Sequence, residues 1–397
     1  MVKAPKESLY WGFSFLFWAL FFGRGVLPTG GYDAFLLISS ASMFLISEKK
    51  VPFKNISIVF FAITSFLLLG FISFLIQDDP KYPEALKTMY LYMVPIVSII
   101  FVCFSPGRLI GVWVRVLAVF LIVQSIFFCF VYLVNAAGVD FVGLSVYKRS
   151  GFQRLNGFMG SPNYFGVAFV TSYLCYSLMR NRLGMKVYVS LEILVRVCVI
   201  LTFSRAAIIS ILFYDILRIL IANKIRFSMK RISLSIFVAA VAMGSLYVVF
   251  KDDYESIYEK ISATVEYRVE DLSSSGSGRF DIWEEAGEHL ENTKYALIGV
   301  GPGQYFGMQN VDNQTHNSYM KLIVESGVIG FLLYILWLGA VLYGVVSNNM
   351  RLELAAFLTI LLFSMGNDVF LTKGFSLLVA IILLFLVERE GVDEQWA

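Results

Sequence analysis

A succession of apolar runs dominates this chain, each long enough to cross roughly 30 Å of hydrocarbon as a helix, and they leave few folds open. The runs occupy residues 9–27, 32–47, 55–76, 88–104, 109–135, 162–179, 187–203, 206–222, 232–250, 327–346, 352–370 and 374–388. Backbone N–H and C=O groups find no water inside a bilayer, so each run must pair its own as a helix. Only 15% of the residues are charged and 58% are hydrophobic, against about 25% charged in a soluble domain. The expectation is an all-α integral membrane protein of about twelve transmembrane helices.

Basic residues favour cytoplasmic connections. The clusters Lys49-Lys50-Lys54, Arg180-Arg182-Lys186 and Lys224-Arg226-Lys230-Arg231 fall on one side if both termini are inside. The basic start at 1–8 leads into a retained first helix, with no small-residue cleavage site. On this reading 1–250 holds nine spans, 251–315 is one long outer loop and 316–397 holds three spans. Within the loop, 254–270 reads as a polar helix and 279–292 as an amphipathic one, joined by a Ser/Gly hinge at 273–278. Gly299, Gly301, Pro302 and Gly303 then make a turn-rich approach to His316.

Cys103, Cys129, Cys175 and Cys198 all lie in apolar runs, so disulfides and thiolate metal sites are not expected. No Asp-x-Asp pair, Walker loop or His-Glu-x-x-His motif occurs, which favours chemistry without metal or cofactor. No basic run suggests nucleic acid.

The polar residues with chemical promise gather at the outer boundary. His289, among Glu285, Glu288 and Glu291, reads as a solvated helix residue. His316 opens the stretch from His316-Asn317-Ser318 to Gly327-Val328-Ile329-Gly330 at the outer edge of the tenth span, where an imidazole can accept a sugar hydroxyl proton. Its bland alternative is an interfacial helix-start residue. Arg205 sits in a very short connection between two apolar runs, where its planar fork suits diphosphate oxygens; snorkelling to lipid headgroups is the alternative. Arg279 follows the loop hinge, beside Phe280 and Trp283. Arg154 precedes Ser161-Pro162, a cap and first-turn signal that turns free N–H groups towards a possible anion. Lys148 and Arg149 add general positive charge. Arg24, Arg115, Arg196 and Arg218 fall in or near apolar runs, and Asp215–Arg218 reads as a structural pair on one helix face. Gly327 and Gly330 read as close-packing positions.

The spacing His, Asn, nine residues, Gly, two residues, Gly resembles the signature of the O-antigen ligase and O-antigen polymerase family. The segments Gly157-Phe158-Met159-Gly160-Ser161-Pro162-Asn163, Thr202-Phe203-Ser204-Arg205-Ala206, Ser277-Gly278-Arg279-Phe280-Asp281-Ile282-Trp283 and Asn367-Asp368 resemble other family pieces in the same order, covering roughly 150–370. Trp283 stands where the family often has Leu, which leaves ligase and polymerase both open.

The resemblance implies a glycosyltransferase in the bacterial inner membrane with its site at the periplasmic face. His316, Arg205 and Arg279 would be catalytic, and Arg154, Asn317 and Asp368 would bind substrate. The donor would be an undecaprenyl-diphosphate-linked oligosaccharide. The acceptor would be another glycan (polymerase) or the lipid A core (ligase); the Gly157–Asn163 segment is more similar to polymerases. Membrane lipids and a chain-length regulator are the further implied partners. A transporter of lipid-linked sugars is the rival from another class, and it calls for paired broken helices near the midplane.

Overall fold

The computed structural model describes residues 53–75, 88–89, 107–136, 146–149, 152–155, 161–180, 185–222, 284, 287–291, 293–304, 317–367, 369–370, 375, 378–379, 381–383 and 385–386. Within these the chain is mostly α-helical. Its elements are α1 (Phe53–Leu75), α2 (Gly107–Ala136), β1 (Val146–Arg149), β2 (Phe152–Leu155), α3 (Pro162–Leu178), α4 (Met185–Leu201), α5 (Arg205–Ala222), α6 (Thr293–Ile298), α7 (Ser318–Ser347) and α8 (Arg351–Ser364). The runs 9–27, 32–47 and 232–250, nearly all of 88–104, and the loop positions 251–283 lie outside the described residues. Among the described residues, α7 is by itself long and apolar enough to cross a membrane, and α1 and α2 hold shorter apolar stretches, Thr64–Leu75 and Ala118–Val134.

α3 is the hub. It is buried continuously from Phe165 to Leu178, with the small polar Thr171, Ser172 and Ser177 enclosed among its apolar side chains. α2, α4, α5 and α8 surround it, while α1 packs on α7 and α5 on α8. The outer flank of α5 carries exposed Ile209, Leu212, Ile216 and Leu220, an apolar stripe of the kind a helix presents to lipid or to another protein.

Two features depart from the sequence reading. β1 and β2 pair antiparallel, with Tyr147 opposite Arg154 in the register, where only a loop was expected. α7 begins at Ser318, well before 327. Its first turns contain Lys321 and Glu325, so they fail an apolarity test, yet Glu325 is fully buried in protein.

The charges within α4 and α5 are organised crosswise. Arg196 meets Asp215 at 2.8 Å and Glu192 at 3.0 Å, and Arg218 meets Glu192 at 3.1 Å. The expected Asp215–Arg218 contact is the longest of the group, 3.9 Å. Tyr173 joins from α3, accepting from Arg196 at 3.0 Å and donating to Glu192 at 3.2 Å. Two guanidinium and two carboxylate groups thus neutralise one another across two helices, the arrangement that makes charge tolerable among apolar runs.

Candidate active site

The N-termini of α3 and α5 meet at one end of the described structure, and the N-terminus of α7 is tied to the turn after α8 that packs beside α5. The first link is Arg154 on β2. Its Nε donates to Thr202 O at 2.9 Å, and its Nη2 donates to Phe203 O and to Asn163 Oδ1, both at 3.3 Å. Asn163 lies on the first turn of α3, and Thr202–Phe203 form the turn into α5. Close approach of α3 and α5 is permitted by Gly166, where an added Cβ would lie 3.0 Å from Ala207 Cβ.

The second link joins α5 to the turn after α8. A Cβ on Gly366 would lie 3.4 Å from Ala206, the neighbour of Arg205. The third link runs from that turn to α7. Ser318 Oγ donates to Asn367 O at 2.8 Å and accepts from Val369 N at 2.7 Å and Phe370 N at 3.2 Å. The residues flanking position 368 are therefore held to a serine two positions beyond 316.

Among the expected site residues, Arg205 is the first residue of α5 and its side chain is exposed. Arg154 is half-buried and occupied by the three acceptors above. Asn317 is buried and caps α7, its Oδ1 accepting from Tyr319 N at 2.9 Å and Met320 N at 3.2 Å. His316, Arg279 and Asp368 lie outside the described residues, as do the side chains of Lys148, Arg149 and His289; His289 itself begins a short 3₁₀ turn, His289–Glu291. Ser161 stands at the N-cap of α3 with Pro162 behind it, but its side chain makes no capping bond. The cap signal was right about place and wrong about the bond.

Sequence reasoning missed three residues, two that build this end and one that holds the segment against the break in α7. Asn163 was noted only as part of a segment, although an amide on a helix's first turn near an arginine is a detectable signal. Ser318 followed the motif's Asn unremarked. Ser73 on α1 donates to Gly299 O at 3.1 Å, across a separation that no local pattern reveals.

The motif glycine also acquires a physical role. At Gly327 α7 breaks, with φ 65 and ψ −177, a region essentially reserved for glycine. A Cβ there would lie 2.4 Å from Leu297 C and O, and one on Gly299 would lie 2.4 Å from Glu325 C and O. The end of α6 thus lies backbone to backbone on the break. Val300 N donates to Val324 O at 2.9 Å and Gly301 N to Glu325 O at 3.0 Å, filling acceptors that an unbroken helix would fill itself. The closing segment of the long loop is in this way stitched to the helix that His316 precedes. Among the described residues Cys129, Cys175 and Cys198 are free thiols, and no group of three or more His, Cys, Asp or Glu could hold a metal.

Residues 189–335 match the family model described as O-antigen ligase. The match runs from α4 into α7 and takes in Arg205, Arg279 and His316, while Arg154 and Asp368 fall outside it. No curated protein matches the chain. O-antigen ligases are a bacterial, membrane-associated family of glycosyltransferase-like enzymes acting on lipid-linked glycans in lipopolysaccharide biosynthesis. Over residues 189–335, the chain is therefore similar to the O-antigen ligase family, in line with the motif resemblance.

Proposed function

We propose that the chain transfers a glycan from undecaprenyl diphosphate to a sugar hydroxyl at the periplasmic face of the inner membrane, with twelve spans arranged nine before the long loop and three after it. The observation that carries this reading is that exposed Arg205 opens α5 where the starts of α3 and α5 meet, with the turn that holds the start of α7 packed beside Ala206. The start of α3, with no side-chain cap, presents a positive dipole end beside Arg205, and a diphosphate leaving group needs such stabilisation; the first N–H groups of α7 are already taken by Asn317. Arg205 and Arg279 would hold the diphosphate. His316 would take the proton of the acceptor hydroxyl, whose oxygen bonds to the anomeric carbon as the bond from that carbon to the phosphate oxygen breaks. The lipid diphosphate leaves with that electron pair, and the configuration inverts. Asp368 would support the imidazole, a pairing favoured by the bonds of Ser318 to both of its neighbours. Asn317 would serve the site by fixing the start of α7 behind His316.

The first reading of the acceptor is another lipid-linked repeat unit, on the strength of the Gly157–Asn163 segment. Transfer to lipid A core is the second, favoured by the description of the matched family. A transporter is disfavoured by the break in α7: its freed carbonyls are taken by Val300 and Gly301, and no second broken helix occurs among the described residues. Purified protein given labelled lipid-linked repeat units, with and without lipid A core, should lengthen or transfer the glycan without an ion gradient. Turnover should also survive exhaustive chelation. Loss of activity in EDTA, restored by magnesium or manganese, would count against the metal-free mechanism.

A further inference from the structure

The turn between α4 and α5 is unusual for its residues. Phe203 has φ 48, a left-handed conformation that bulky residues adopt only when their surroundings impose it. The imposing bonds are visible. Phe203 N donates to Ile200 O at 2.9 Å, and Ser204 N donates to Thr202 Oγ1 at 3.1 Å. The Arg154 guanidinium closes on the carbonyls of Thr202 and Phe203, where the C-terminal end of α4 favours a cation. Asn163 Oδ1 takes another of its N–H groups and so ties this clamp to the buried hub helix. What leaves the turn is α5, and its first residue is Arg205.

We propose that Arg154 and Asn163 are positioning residues: they hold the Thr202–Phe203 turn so that Arg205 meets the lipid diphosphate. The inference rests on the reading of Arg205 as a diphosphate ligand, and it moves Arg154 from the ligand shell to the support behind it. A planar fork that engages carbonyls on two adjacent residues and an amide on another helix fixes direction as well as distance, which a lysine could not do.

The test uses the full chain in lipid nanodiscs with undecaprenyl diphosphate as the probe, so that no sugar need be known. Thermal stability of every variant is measured alongside. Arg205→Ala should weaken binding roughly tenfold or more, the scale of a lost charge-assisted bond. Asn163→Ala should weaken it by about threefold to tenfold, and Asn163→Asp, which keeps the acceptor oxygen, should restore most of that loss. The Arg154→Ala/Arg205→Ala double variant should bind no worse than Arg205→Ala, because a residue acting only through Arg205 has nothing left to position. Should Arg154→Ala fail to fold, Asn163→Ala/Arg205→Ala takes its place under the same criterion. A further loss in the double variant as large as the single variant's own would mean that Arg154 or Asn163 touches the ligand directly, and the proposal falls. It falls equally if Asn163→Ala and Arg154→Ala bind as the wild type does while Arg205→Ala is impaired. Wild-type binding by Arg205→Ala would instead remove the diphosphate reading on which the proposal stands.

Discussion

At the scale of single residues, the chemistry divides between charge and proton. His316→Ala should keep the fold and donor binding but lose turnover by roughly a hundredfold to ten-thousandfold, the usual worth of a general base. His289→Ala should leave turnover nearly unchanged. Both need product formation and lipid-donor binding measured on the same purified variants; a fully active His316→Ala enzyme would sink the base assignment. Arg279→Lys keeps the charge and loses the fork, so turnover should fall while some donor binding persists. The residues named from sequence were those whose type announces a chemistry. Asn163 and Ser318 announce no chemistry by type, and their roles show only once their partners, Arg154 on β2 and the turn after α8, are seen.

At the scale of elements, the motif glycine and the charged quartet carry most of the argument. Gly327→Ala puts a side chain into a glycine-only conformation and into the backbone of Leu297. It should cost about 1–3 kcal/mol from conformation alone, read as a lower melting temperature and a broader gel-filtration profile. Gly339→Ala, at a position with open space around it, is the control and should be silent. In the quartet, the sequence pattern favours Asp215–Arg218, whereas the contacts favour Arg196–Asp215. A double-mutant cycle in apparent melting temperature should show clear coupling, of about 1 kcal/mol or more, between 196 and 215, and less between 215 and 218. Equal coupling would restore the local pair. Spacing along one helix lists candidate partners, but a guanidinium takes the carboxylate that interhelical packing brings within reach.

At the scale of the whole molecule, the proposed topology puts residues 251–315 outside. A cysteine introduced at Ser274 should react with an impermeant thiol reagent in intact spheroplasts, and labelling only after lysis would overturn the arrangement. The sequence by itself pointed to a mostly helical chain, because long apolar runs must pair their own backbone groups. It also determined the bounds of α1 to α5 within about two residues, though not the start of α7 or the end of α8, and the motif spacing that carries the family resemblance. Only the tertiary structure decided which ends meet. The strand pair that delivers Arg154, the pairing of Val300 and Gly301 with the break in α7, and the serine that joins 318 to the turn after α8 are all contacts between distant segments. Such contacts are set by how the elements pack, and small polar groups and missing Cβ atoms settle that packing because they decide how closely two backbones approach.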